Sequence, residues 1–117
     1  MPEDYSSFLP LSPPAMHILL ALASEDRHGY GIMQEVARES EGNYRIGPGT
    51  LYDNLQRLMG QGIVEAASTR ARDDDPRRRY YRLTRFGRGL LTAEVERLDS
   101  VIRRARIHLR GNPRRAT

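Results

Sequence analysis

Residues 47–62 read GPGTLYDNLQRLMGQG, and the fold turns on how this stretch is read. Leu51, Leu55, Leu58 and Met59 stand at i, i+4, i+7 and i+8. At about 100° per residue that spacing gathers them into one apolar stripe and predicts a short amphipathic helix. Pro48 suits the first turn because it has no N–H to leave unpaired, and Gly47 is a tolerable N-cap. Gly60 and Gly62 supply permissive backbone at the C-terminal end. Opposite the stripe lie Asp53, Gln56, Arg57 and Gly60, with Thr50, Asn54 and Gln61 on one flank and Tyr52 on the other. These side chains can reach base edges or phosphates, but an ordinary surface helix also looks like this, so the neighbouring elements decide.

Upstream, Ser12-Pro13-Pro14 is a helix start, a serine N-cap followed by proline in the first turn. The helix it opens runs to about Ser24, and Ala15, Met16, Ile18, Leu19, Leu20, Leu22 and Ala23 make it apolar on nearly all sides. That pattern predicts a central core helix, with His17 packed or half-exposed within it. Residues 25–29 read as a turn. A second amphipathic helix begins at Tyr30 or Gly31 and ends near Ser40, pairing Ile32 with Val36 and Met33 with Ala37. Gly42-Asn43 stops it. Two short amphipathic helices, the second presenting a polar face, form a helix-turn-helix pattern, and the long link between them favours a winged variant. Residues 1–11, with Tyr5, Phe8 and Leu9, read either as a frayed arm or as a short helix packed on a neighbour.

Downstream, residues 63–69 read as one strand and 77–83 as another. Alternation puts Arg77, Arg79, Tyr81 and Leu83 on one face and Arg78, Tyr80 and Arg82 on the other. A hairpin directly after a helix-turn-helix is a wing. Arg77, Arg78 and Arg79 at its base suit phosphate contacts. Asp73-Asp74-Asp75 in the loop 70–76 would repel phosphate, so the tip is expected to stay off DNA as a solvated loop; three consecutive carboxylates without a partner acid make a weak metal-ligand set. Thr84 caps a last long helix, about 85–109. In it Leu91, Val95, Leu98, Ile102, Ala105 and Leu109 follow an a/d rhythm for nearly three heptads. So small a domain has too little chain to cover that stripe, which predicts a homodimer interface; packing back on the protomer's own core helix is the alternative.

The composition sets limits on these readings. At 117 residues one domain with a modest core is the simplest organisation. The expected division is an N-terminal arm and winged helix over 1–84, a dimerisation helix over 85–110 and a flexible basic tail over 111–117. Residues 1–66 carry four Arg against nine acids, a net −5, and 67–117 carry fifteen Arg against six, a net +9; together they give the formal +4. A basic half points to polyanions, nucleic acid before membrane. Zero cysteines exclude disulfides, thiolate zinc sites and thiol catalysis. His17, His28 and His108 sit on different elements without acids at ligand spacing, and neither a nucleophile elbow nor a P-loop is present. No enzyme activity, metal or cofactor is therefore expected. No secretory pattern or membrane span is seen, and a cytoplasmic protein without membrane association is expected.

HGYGI at 28–32, PGTLYDNLQRL at 48–58, the turn into Gly62-Ile63-Val64 and RRRYYRLTRFG at 77–87, in this order and at this spacing, resemble the PadR family of bacterial transcriptional regulators. The resemblance covers about residues 8–100 and is closest to the short-tailed subgroup with a single last helix. It implies a mainly α winged helix-turn-helix with a small β-hairpin, a dimer through the last helix, binding to palindromic promoter sites, and usually repression relieved by a small molecule. It puts Tyr30, Thr50, Leu51, Tyr52 and Arg57 at the recognition positions and Arg78 to Arg82 on the second wing strand. Leu51 itself reads as core, and Tyr52 as straddling core and DNA. Asp53 departs from relatives, which commonly have a small or apolar residue there, so their operator sequences do not transfer. The wing also lacks a tryptophan that many relatives carry, and its acidic tip is atypical.

The expected DNA-binding set is therefore Tyr30, Thr50, Tyr52, Asn54, Arg57, Arg77, Arg78, Arg79 and Arg82. The expected partners are double-stranded DNA, a second copy of the chain, and a small-molecule effector that the sequence does not identify. A winged-helix module that binds protein through its acidic first half is the alternative; a salt-titrated shift assay with promoter DNA separates the two.

Overall fold

The computed structural model describes residues 4–67 and 78–111. Four helices and a three-stranded sheet follow one another: α1 (Pro13–Ala23), β1 (Arg27–His28), α2 (Gly29–Glu39), α3 (Pro48–Gly60), β2 (Val64–Ala67), β3 (Tyr80–Leu83) and α4 (Arg85–Gly111). A single 3₁₀ turn, Ser6–Phe8, precedes them.

The start signal at Ser12 works as its chemistry requires: Ser12 Oγ accepts a hydrogen bond from the Ala15 N–H (3.3 Å). The apolar surround of α1 then places Ile18, Leu19, Ala21 and Leu22 at the centre of the core. His17 is half-buried and stacks on Tyr44, with ring centroids 4.0 Å apart.

Residues 27–28, expected as turn, instead form β1, which pairs antiparallel with β3 and makes the sheet order β1-β3-β2. Arg27 is held there by donating from Nε to the Ala21 carbonyl at 2.7 Å. The first helical residue after β1 is Gly29, with His28 as N-cap: its Nδ1 accepts from the Gly31 N–H at 3.0 Å. α2 lays Ile32 and Val36 on the core.

α3 starts at Pro48 behind Gly47 and buries Leu51, Leu55 and Leu58. Its end is a Schellman closure: Gly62, at φ +74°, donates to Met59 O (3.1 Å), and Ile63 donates to Leu58 O (2.9 Å). Leu58 and Ile63 are both buried, so the apolar pair of that motif is present and aims the chain into β2. The β2–β3 register runs from Val64 opposite Leu83 to Ala67 opposite Tyr80. Thr84 then joins wing to helix. Its hydroxyl donates to Gly62 O (2.6 Å) and accepts from the Gly87 N–H (2.9 Å).

The N-terminal segment packs rather than frays. Tyr5 and Phe8 both lie against Phe86, with centroids 5.2 and 5.3 Å away. Glu94, a buried carboxylate on α4, accepts from the Leu11 N–H at 3.0 Å and pairs with Arg97. The Arg97 guanidinium holds the Glu94 carboxyl below the ordinary glutamate range, burial opposes it, and the Leu11 N–H adds to the lowering. A carboxylate with a depressed folded pKa stabilises the fold fully above its unfolded pKa, and that contribution is lost as pH falls through the folded value. Thermal melts of the parent and Glu94→Gln should therefore differ at neutral pH and converge once the pH has fallen below the folded pKa of Glu94. A gap that does not change with pH would mean that the Glu94 charge contributes nothing.

The first turns of α4 sink Leu90, Leu91 and Glu94 into the core, whereas every residue from 101 to 111 is exposed. At about 1.5 Å per residue the exposed end projects roughly 16 Å beyond the domain.

Candidate nucleic-acid interface

The outward face of α3 presents Thr50, Tyr52, Asp53, Gln56 and Arg57 to solvent. Tyr30, one of the most exposed large side chains of the domain, projects from the first turn of α2, and Arg78 and Arg79 stand exposed at the base of the wing. Arg57 and Arg78 form no ion pair among the described residues, and Arg79 lies within hydrogen-bond reach of the Tyr81 phenol. They flank a helix whose own face carries one acid, Asp53.

A cleft of about 380 Å³ links these elements, lined by His28, Gly29, Tyr30, Tyr52, Arg78 and Arg79. Gly29 explains how Tyr52 reaches it. A Cβ on Gly29 would stand 2.2 Å from the Tyr52 hydroxyl oxygen, so only glycine lets that ring rest on the start of α2. A phenol hydroxyl and two guanidinium groups thus border one opening, a donor set suited to a phosphate oxygen. Behind it Tyr81 is buried, and burial is the main reason its phenol titrates above the ordinary tyrosine range, which keeps it neutral.

Two expected contacts, Asn54 and Arg82, are placed differently. Asn54 is only 7% exposed, and its Nδ2 donates to Thr50 O at 2.8 Å. It belongs to the buried side of α3 because the N-terminal arm covers that flank. Arg82 is exposed but engaged, donating from Nε to Glu65 Oε2 at 2.8 Å across the β2–β3 register. Arg77 and Asp73-Asp74-Asp75 lie outside the described residues. Gly29 and Tyr81 lie outside the set expected from sequence, although the glycine spacing in HGYGI is a visible hint of a close approach.

On α4 the expected stripe divides in two. Leu91 is 7% exposed and belongs to the protomer's own core, because the first turns of the helix lie on the domain. Leu98 is half-buried, and Val95, Ile102, Ala105 and Leu109 face solvent, Ile102 at 47% and Leu109 at 72%. Among the described residues no three His, Cys, Asp or Glu side chains could hold a metal ion, and no helix is long and apolar enough to cross a membrane.

A helix-turn-helix followed by a paired wing, with a long helix leaving the wing, defines a winged-helix protein of the transcription-regulator class. The chain belongs to the PadR-like family of transcriptional regulators, whose family model matches residues 18–93. It is 36% identical over 100 residues to the transcriptional regulator Rv3488 of Mycobacterium tuberculosis, covering 83% of this chain and 89% of that protein. Its fold matches that of a PadR family transcription regulator from Clostridium difficile with TM-score 0.71 at 22% identity, over 84% of this chain and 99% of that one. It also matches Bacillus subtilis PadR in complex with operator DNA, with TM-score 0.62 at 21% identity, over 74% of this chain and 48% of that one.

Proposed function

We propose that this chain is a sequence-specific DNA-binding repressor that acts as a homodimer on an inverted-repeat operator. The observation that carries the reading is the solvent-facing polar side of α3, bordered by exposed Arg57, Arg78 and Arg79 and by the Tyr52 cleft. Two copies joined along α4 would set their α3 helices about one duplex turn apart, roughly 34 Å, in successive major grooves. Thr50, Gln56 and Arg57 would then meet base edges or nearby phosphates. Tyr30, Tyr52, Arg78 and Arg79 would hold the backbone and fix the register. Arg82, tied to Glu65, stiffens the wing and contributes charge at longer range. Repression is the outcome expected where such a dimer lies across a promoter, because it excludes other proteins from the same grooves. The Bacillus subtilis protein that shares this fold carries operator DNA, which supports the reading.

Selection of bound sequences from random DNA, followed by a salt-titrated shift assay on the selected site, tests it. The selected sites should be inverted repeats. Arg78→Ala should weaken all sequences alike and reduce the slope of log K against log salt by about 1. If no sequence is enriched, or if the slope is unchanged, the DNA assignment of this face is wrong.

A further inference from the structure

On the outward face of α3, Asp53 is the side chain whose charge opposes a polyanion. It is exposed, and it forms no ion pair among the described residues. Arg57 stands at i+4, where an acid followed by a base can pair on a helix surface, yet the two stay apart. On the helical wheel Asp53 holds the centre of the face: Gly60 lies about 20° from it, and Gly49 and Arg57 about 40°. A Cβ at Gly49 or Gly60 would meet nothing within 4 Å. The row that carries Asp53 is therefore bare at both ends, and bare backbone can approach a ligand closely.

That position decides what the carboxylate meets in a major groove. Phosphates line the walls and base edges form the floor, so a helix seated by bare flanks turns its central side chain to the floor. A carboxylate only accepts hydrogen bonds. The donors on the floor are the amino groups of cytosine and adenine, whereas guanine and thymine present acceptors. Adenine also sets its N7 acceptor beside the amino group, against the second carboxylate oxygen; cytosine presents N4 with no acceptor on the same base.

We infer that Asp53 is a specificity-determining residue that selects a cytosine in each operator half-site. This rests on the DNA-binding role proposed for α3. The carboxylate accepts from the cytosine N4 amino group, and where that donor is missing it faces acceptors and phosphates that repel it. It therefore acts by rejecting the wrong bases as much as by binding the right one. Its charge lowers affinity for DNA in general and raises the ratio between right and wrong sites.

The test is selection from random duplex DNA by the full chain and by its Asp53→Asn and Asp53→Ala variants. Asp53 is exposed, so both variants are expected to melt as the parent does. The parent's half-site should contain one cytosine position that the variants change. Asp53→Asn, which keeps an acceptor and adds a donor for adenine N7, should admit adenine there. Asp53→Ala should lose the preference at that position alone. On the parent's selected site, changing that cytosine to thymine, with its paired base, should weaken the parent by about tenfold and Asp53→Ala by less than about twofold. Asp53→Ala should also bind the changed site more tightly than the parent does. Preferences that are unmoved in both variants overturn this inference alone. So does a change confined to a guanine position, which would make Asp53 a support for Arg57, and so does an equal gain in affinity at every site, which would make the carboxylate merely repulsive. If the parent enriches no sequence, the DNA reading falls and this inference falls with it.

Discussion

Ile102→Asp is expected to turn the protein into a monomer in sedimentation and to weaken binding to inverted-repeat DNA by about a hundredfold. Ile102 faces solvent on α4 in a segment where every residue from 101 to 111 is exposed, so the protomer's own core loses nothing when it changes. Across a paired helix the same change buries a carboxylate in an apolar seam next to its own symmetry mate, which desolvation and like-charge repulsion both oppose. DNA affinity follows, because joining two half-site readers makes the second contact intramolecular, and separating them removes that gain. Leu98 is the less discriminating position. It is half-buried against the domain, so a charge there would lower fold stability as well as dimer stability. A dimer of unchanged mass in Ile102→Asp would place the interface elsewhere. A monomer with unchanged DNA affinity would instead mean that the half-sites are read independently.

The division of α4 into a buried root and an open stem shows what a sequence pattern carries and what it omits. The heptad rhythm from Leu91 to Leu109 is a property of the chain and was readable. Which part of it the domain already covers depends on where the first turns come to rest, and Leu91 settles in the core. The same distinction applies on α3. Its start at Pro48, its apolar stripe and its glycine ending all followed from local chemistry. Asn54 lies about 60° from Leu51 on the helical wheel, close enough to the stripe that the N-terminal arm decides its burial, and the sequence leaves the arm's path open. β1 escaped notice for another reason. Two residues cannot show a period of two, and their pairing with β3 is a long-range contact that no local pattern encodes. Arg82 and Glu65 are seventeen positions apart, and only the strand register makes them partners. The exposed face of α3 is thus legible where it depends on one helix, and not where it depends on what packs against that helix.

Gly87→Ala should destabilise the fold by about 2–3 kcal/mol, because the site has no room for a methyl group. A Cβ at Gly87 would stand 2.0 Å from the carbonyl oxygen of Ile63 and 3.0 Å from its carbon. Those are backbone atoms, and they are fixed twice over: Ile63 O accepts from the Thr84 N–H at 3.1 Å, and the Ile63 N–H closes the end of α3. Relief would require α4 to lift from the β2 side of the wing, loosening the helix end, the strand and the Thr84 junction together. Gly29 meets a short contact too, but with the tip of the Tyr52 ring. That side chain is partly exposed and can swing away, so its cost falls on the cleft beside Tyr30 rather than on the fold. Gly60 is the control: it ends α3 with nothing near its Cβ position, and Gly60→Ala should be neutral or slightly stabilising by the reduced freedom of the unfolded chain. Thermal melts at equal protein concentration compare the three proteins. Gly87→Ala should melt about 10 °C or more below the parent, while Gly60→Ala stays level or rises. Equal melting of Gly87→Ala and the parent would show that α4 is not seated on the end of α3, and the geometry that carries α4 away from the wing would have to be abandoned.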